Sequence, residues 1–224
     1  MLKTKPFMFS CLLSGALLAG APAAIAEEVR SSETLDDRRS LLPRAEQPIA
    51  QRSPRSDVIL RLEDLPDGFQ PMPQSELATL KQELSQDDFQ VENVFAFMEQ
   101  QQFELIMGIT TTIADPQERS QFDAALSQPQ LLRELLTQGL DDTEVLDERP
   151  LTGLQNIGDV AAGVSMKVNL EDIPARLEIL AFRNADLGAF VFVMYLDGAQ
   201  PVVPIADVAR ILDRRARQVG SGRR

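Results

Sequence analysis

The chain has 224 residues, with 34 acids against 22 lysines and arginines, no histidine, no tryptophan and one cysteine. Without histidine there is no Ser-His-Asp hydrolysis, no His-ligated zinc and no imidazole acid–base chemistry. A net charge of −12 repels nucleic-acid phosphates and anionic lipid faces and attracts cations or basic partners.

The N-terminus reads in three zones. Lys3 and Lys5 precede a mostly apolar stretch over residues 7–18, and Ala24-Ile25-Ala26 stands before Glu27-Glu28. This pattern predicts a secretory signal peptide over residues 1–26, cleaved after Ala26. The apolar stretch is shorter than the ~20 residues a membrane span needs. Cys11 lacks a lipoprotein-type approach, so the predicted mature chain holds no cysteine and no disulfide. The expected location is the periplasm or a thylakoid lumen.

Residues 27–56 carry six acids, six arginines and Pro43, Pro48 and Pro54, a composition that predicts a flexible linker. The acidic domain is expected over 57–219 and a basic tail over 220–224. Between Asp57 and Asp213, 28 acids stand against 9 bases, and Arg214, Arg215, Arg217, Arg223 and Arg224 follow.

Within the domain, Val58, Leu60 and Leu62 alternate as in a strand. Leu65-Pro66-Asp67-Gly68-Phe69 reads as a turn. Ser75 is placed to cap a helix carrying Leu77, Leu80 and Leu84 on one face. Residues 91–98 and 103–113 predict two strands joined by Glu99-Gln100-Gln101-Gln102, and Phe95, Phe97, Met98, Phe103 and Met107 are expected in the core. Asp115-Pro116-Gln117-Glu118 starts a second helix with a cap acid and proline in the first turn. Pro129 breaks or restarts it, with Leu131, Leu132, Leu135 and Leu136 beyond. Residues 141–148 predict an acidic loop.

A meander follows. Residues 160–168, 177–182 and 189–196 predict strands, with Asn184-Ala185-Asp186-Leu187-Gly188 as a hairpin. The last of these is apolar at every position from Ala189 to Leu196, which predicts a central strand covered on both faces. Gly153, Gly158 and Gly163 are too widely spaced for a dinucleotide fingerprint and read as turn glycines. Ile205, Val208, Ala209 and Leu212 predict a closing helix, with arginines toward its C-terminus. The expected fold is α+β, a single domain with an antiparallel sheet sandwiched by helices.

Leu62-Glu63-Asp64-Leu65-Pro66-Asp67-Gly68-Phe69, Ile157-Gly158-Asp159, Leu180-Ala181-Phe182-Arg183 and the helix over residues 207–215 together resemble the PsbP-like exported bacterial domains. The resemblance covers roughly residues 57–218. It implies an antiparallel sheet between helices and an accessory or binding role. The chain departs from PsbP-type metal sites in having no histidine, so no site residue carries over.

For chemistry, abundant carboxylates remain. Paired acids serve glycosidases, but with no tryptophan and Tyr195 alone the aromatic platforms for sugars are scarce. Asp141, Asp142, Glu144, Asp147 and Glu148 form the candidate partner-binding loop; the alternation of a calcium loop is missing, and they read as solvated, as do Glu63, Asp64 and Asp67. Ser165 and Lys167 share a strand face, but alternating polar residues on a solvent face explain them more simply than a dyad. No catalytic residue, cofactor or metal ligand is assigned. The expected function is that of a non-catalytic exported accessory protein, membrane-peripheral at most, meeting a protein partner with a basic surface and no nucleic acid. The alternatives are a carboxylate-based hydrolase and a small-molecule or lipid carrier with an apolar cavity inside the sandwich.

Overall fold

The computed structural model describes residues 54–85, 91–128, 145–170 and 172–221. The predicted signal peptide, nearly all of the predicted linker, the leucines at 131–136, and Asp141, Asp142 and Glu144 lie outside the described residues.

The sheet grows outward from the apolar run the sequence marks as central. Among the described residues seven strands make one open antiparallel sheet: β1 (Phe69–Pro71), β2 (Val91–Glu99), β3 (Glu104–Thr112), β4 (Val145–Pro150), β5 (Val160–Leu170), β6 (Ile173–Asn184) and β7 (Leu187–Leu196). Their order is β1-β2-β3-β7-β6-β5-β4, which puts β7 in the middle. Because side chains alternate between faces, β7 buries Ala189, Val191, Val193 and Tyr195 on one side. It sets Phe190, Phe192 and Met194 toward the other.

Helices cover both faces. The helix α1 spans Gln74–Leu84, α2 spans Pro116–Ser127 and α3 spans Ile205–Ser221. α3 buries Ile205, Val208, Ala209 and Leu212, a stripe at helical spacing, against Phe95, Phe97, Ile106, Leu180 and Phe182, and Ala216 against Val58 and Leu187. On the opposite face Phe122 and Leu126 of α2 pack on β5 and β6, and Leu80 and Leu84 of α1 pack on β2 and β3. The Phe122 and Phe190 rings meet edge to face at 5.7 Å. The interior is tightly filled. A side chain at Gly108 would place Cβ 2.2 Å from the Phe95 ring, so only glycine fits beneath that phenylalanine.

The predicted start of α2 is present: Pro116 opens the helix and the Asp115 carboxylate accepts the Gln117 N–H at 2.7 Å. Five local readings differ. Val58, Leu60 and Leu62 form no strand. Short 3₁₀ turns at Pro54–Asp57 and Leu62–Asp64 send Val58 and Leu60 inward and leave Leu62 exposed. Pro73, not Ser75, stands at the cap of α1. The second half of the expected acidic loop is the edge strand β4, paired to β5 from Val145 to Pro150. Gly163 lies inside β5, opposite Leu180, whereas Gly153 and Gly158 lie in the loop before β5 with left-handed φ of 76° and 62°. Finally, α3 runs on to Ser221, so Arg214, Arg215 and Arg217 sit mid-helix. The fold also reaches back before Asp57, where Arg55 bonds Thr112 at 2.8 Å and pairs with Asp186.

Candidate functional site

Two sets of residues gather at the sheet end where β2 turns into β3. The first is a polar row on the α3 face. Register places Glu99 beside Glu104, Tyr195 beside Arg176, Arg176 beside Lys167 and Lys167 beside Asp147. Glu178 and Ser165 stand one step inward on the same face.

Each buried acid in this row fixes a backbone or a partner. Glu99 is 5 % exposed, and its carboxylate accepts the Gln102 N–H at 2.5 Å, closing the β2–β3 turn. Glu104 is 1 % exposed; its two oxygens accept the N–H groups of Val202 and, at 3.1 Å, Val203, tethering the segment that leads into α3. Glu178 accepts the Tyr195 hydroxyl at 3.0 Å. Burial raises the Glu104 carboxyl above the ordinary glutamate range, against the lowering effect of its two amide donors, and Glu99 and Glu178 push it further up. Burial likewise raises Glu178. It also lifts the Tyr195 phenol well above its usual value, helped by the Glu178 charge.

The outer part of the row is an ion-pair network. Asp197 holds Lys167 at 2.7 Å and Arg176 at 3.0 Å. Asp147 takes Arg149 at 2.7 Å and Arg176 at 3.4 Å. The Lys167 hydrogen bond lowers Asp197 below the usual aspartate range, and Arg149 does the same for Asp147. With its ammonium on Asp197, Lys167 is not a base for Ser165, and the two form no dyad.

The second set is apolar and exposed. Phe103 ends the β2–β3 turn with a left-handed backbone, φ 54°, and is 65 % exposed; its expected place in the core is thus corrected. Phe95, Phe97 and Met107 are buried as expected and Met98 is half-buried. Continuing the pairing of Leu105 with Met194 brings Phe103 level with exposed Leu196. Leu196 pairs with Ala175, two residues from exposed Ile173. Exposed Leu146 lies at the irregularity where β4 meets β5 at this same end. All four are exposed apolar side chains at this end of the sheet.

Of the five acids of the predicted partner-binding loop, Asp147 joins the ion-pair network and Glu148 borders a groove lined by Pro150, Leu151 and Leu126. Asp64, expected to be solvated, is instead gripped by Arg215 at 2.8 and 2.9 Å, while Glu63 lies 3.6 Å from Arg61. Among the described residues no group of three acids is arranged to hold a metal ion, and no helix is long and apolar enough to cross a membrane. Two grooves among the described residues, one at the β6–β7 turn and one before β5, are lined by neither Glu104 nor Glu178.

Sequence reasoning missed the Glu104, Glu178, Tyr195 and Arg176 cluster. Its signal was parity: Arg176 and Glu178 alternate in step with buried Leu180 and Phe182.

The molecule thus belongs to the α+β sandwiches, with an open antiparallel sheet covered by helices on both sides. No protein-family model and no curated protein matches the chain.

Proposed function

We propose that this chain is a non-catalytic exported accessory protein of the periplasm or a thylakoid lumen. In this reading it binds a protein partner with a basic surface through the hairpin end of its sheet. The observation that carries the reading is Phe103. A large apolar side chain stands 65 % exposed on a left-handed backbone that disfavours it, a cost that its partial burial in the monomer only about offsets. Leu196, Ile173 and Leu146 are further exposed apolar side chains at this end of the sheet, and exposed apolar surface gathered in one region is the usual mark of an interaction site.

The basic character of the partner follows from charge. Of the acids of residues 141–148, Asp147 and Glu148 are described and lie in β4, in a chain of net charge −12. Such a field steers a basic surface and weakens with salt. The resemblance to PsbP-like exported domains, carried by residues 62–69, 157–159, 180–183 and 207–215, agrees with an accessory role.

The test is an affinity capture with tagged mature protein from gently solubilised native membranes and periplasm. A specific partner is expected at low salt, lost at high salt, and lost at low salt when Phe103 is replaced by glycine. A partner retained equally by the Phe103→Gly protein would remove the hairpin end from the reading. Recovery of the protein alone at both salts would remove the partner.

A further inference from the structure

At the hairpin end, three stretches of backbone outside the strand ladder close over two carboxylates. Glu99 and Glu104 stand directly opposite each other across β2 and β3, 5 % and 1 % exposed. One Glu99 oxygen accepts the Gln102 N–H in the turn that ends at Phe103. Against the other packs Gly68, in the turn before β1, where a Cβ would stand 3.1 Å from that oxygen. The two Glu104 oxygens accept the N–H groups of Val202 and Val203, in the segment before α3.

Like charges directly opposite on a sheet repel, and nothing in the surroundings balances this pair. The charges that act on Glu104 are Glu99 from β2 and Glu178 from β6, both of its own sign. β7 brings the Tyr195 hydroxyl, which is donated to Glu178. The base of this row on β6, Arg176, is bonded to Asp147 and Asp197. α3 turns apolar Ile205, Val208 and Leu212 to this face, and Asp67 beside Gly68 is exposed. An ionised carboxylate shut from water without a counter-charge is costly, and the cost is relieved by a proton or by admitting water. Admitting water here means moving the turn over residues 100–103 or the segment at Val202 and Val203.

We propose that Glu99 and Glu104 make the hairpin end a protonation-dependent latch, closed at acid pH and loosened toward neutrality. Burial holds the Glu104 carboxyl above the ordinary glutamate range, with Glu99 and Glu178 adding to it, so the closed form keeps its proton to a higher pH than the opened form. Opening is therefore least favoured below the ordinary value of 4.5, and from there to the raised value it gains up to about tenfold per pH unit. Closed, the latch fixes the turn that carries Phe103 in advance and lowers the ordering cost of docking on it. As control of the docking surface it rests on the partner reading; the latch itself needs no partner.

The test is amide hydrogen exchange of the mature protein, read residue by residue by NMR between pH 4.5 and 7.5 and corrected for the intrinsic rate at each pH. The Gln102, Val202 and Val203 amides should be far less protected than those of Val191 and Val193 in central β7, because the opening is local. Their protection should fall as pH rises above 4.5, by up to about tenfold per unit. Glu104→Gln, neutral throughout, should flatten the fall. Glu99→Gln keeps both Glu104 amide bonds, removes the opposing charge, and should make the fall smaller. Protection that does not change with pH overturns the proposal. So does an undiminished fall in both folded variants, or protection equal to that of β7, which would mean that these amides open only when the whole domain unfolds. No partner enters the measurement, so its failure and the failure of the docking reading are separate results.

Discussion

Replacing Phe103 by glycine separates a residue kept for binding from one kept for folding. A left-handed backbone costs an ordinary side chain about 1–2 kcal/mol, and glycine avoids that cost. Glycine's greater chain freedom gives back about 0.5–1 kcal/mol. The ring is 65 % exposed, so only about a third of the roughly 1.5–3 kcal/mol for a fully buried phenylalanine is lost, about 0.5–1 kcal/mol. The three contributions nearly cancel, and urea unfolding followed by circular dichroism should find the variant within about 1 kcal/mol of the parent. Phe95 is the internal control. At 2 % exposure, its replacement by alanine should cost about 3–5 kcal/mol, as for any core phenylalanine. Partner capture should behave in the opposite sense, since truncating an aromatic anchor costs about 2 kcal/mol or more, roughly thirtyfold in affinity. If Phe103→Gly proves destabilised by about 2 kcal/mol or more, the side chain supports the turn and the argument from strain fails.

Three other outcomes follow from the packing and charge. Gly108→Ala should lose about 3 kcal/mol or more in denaturant melts, the upper part of the overpacking range, because the ring 2.2 Å from the new Cβ is itself fully enclosed; a loss under about 1 kcal/mol would mean that Phe95 has room to move. Glu104 and Glu178 are raised above the usual 4.5 by burial. Their stabilising contribution is therefore complete below that pH and declines as pH rises through the raised folded-state values. Melting temperatures should accordingly fall less between pH 4.5 and neutrality in Glu104→Gln than in the parent, beneath a fixed loss of about 1–2 kcal/mol from the amide donor that glutamine leaves unpaired. Parallel pH profiles for the two proteins would sink this assignment. Arg183→Leu, which strands Asp123 and Asp159 beside the β6–β7 turn, should cost about 2 kcal/mol, less than a fully buried pair because both aspartates reach solvent; an unchanged midpoint would make this clamp a surface pair of no consequence.

What was legible in the sequence depended on how many forces agreed. β7 was readable because both parities are apolar, which only a central strand tolerates, and it sits fourth of seven. α2 was readable from its cap acid and its proline. β4 was not, because Asp147 and Glu148 read as loop, and charge is what a sheet edge uses to blunt itself. The alternation of Val58 and Leu60 imitated a strand; two 3₁₀ turns reach the same inward positions. At the candidate site, hydrophobicity misled for Phe103. Composition assigns a phenylalanine to the core, and only the turn geometry sends this one outward. The charge run over residues 141–148 was legible, but not its ion pairs: Arg176 lies 29 residues from Asp147 in sequence and is brought to it by strand pairing.

The costs in this fold are not evenly spread. Glu99, Glu104 and Glu178 are carboxylates carried into the sheet, and buried charge is at best neutral for stability compared with apolar side chains. Each of the three is used to hold something at one end: the turn before Phe103, the segment before α3, and the Tyr195 hydroxyl. The ion pairs of Lys167, Arg176, Asp147 and Asp197 brace the adjoining strand ends. The strained, exposed Phe103 stands at the same place. Local departures from what favours folding are expected where function constrains the chain, and here two unrelated kinds, a buried polar row and an outward aromatic, coincide at one end of the sheet. A row that fixes the turn in advance also lowers the ordering cost of docking on it. In the proposed reading the polar row is the support of the exposed hairpin end, holding the turn before Phe103 and the segment before α3 in place.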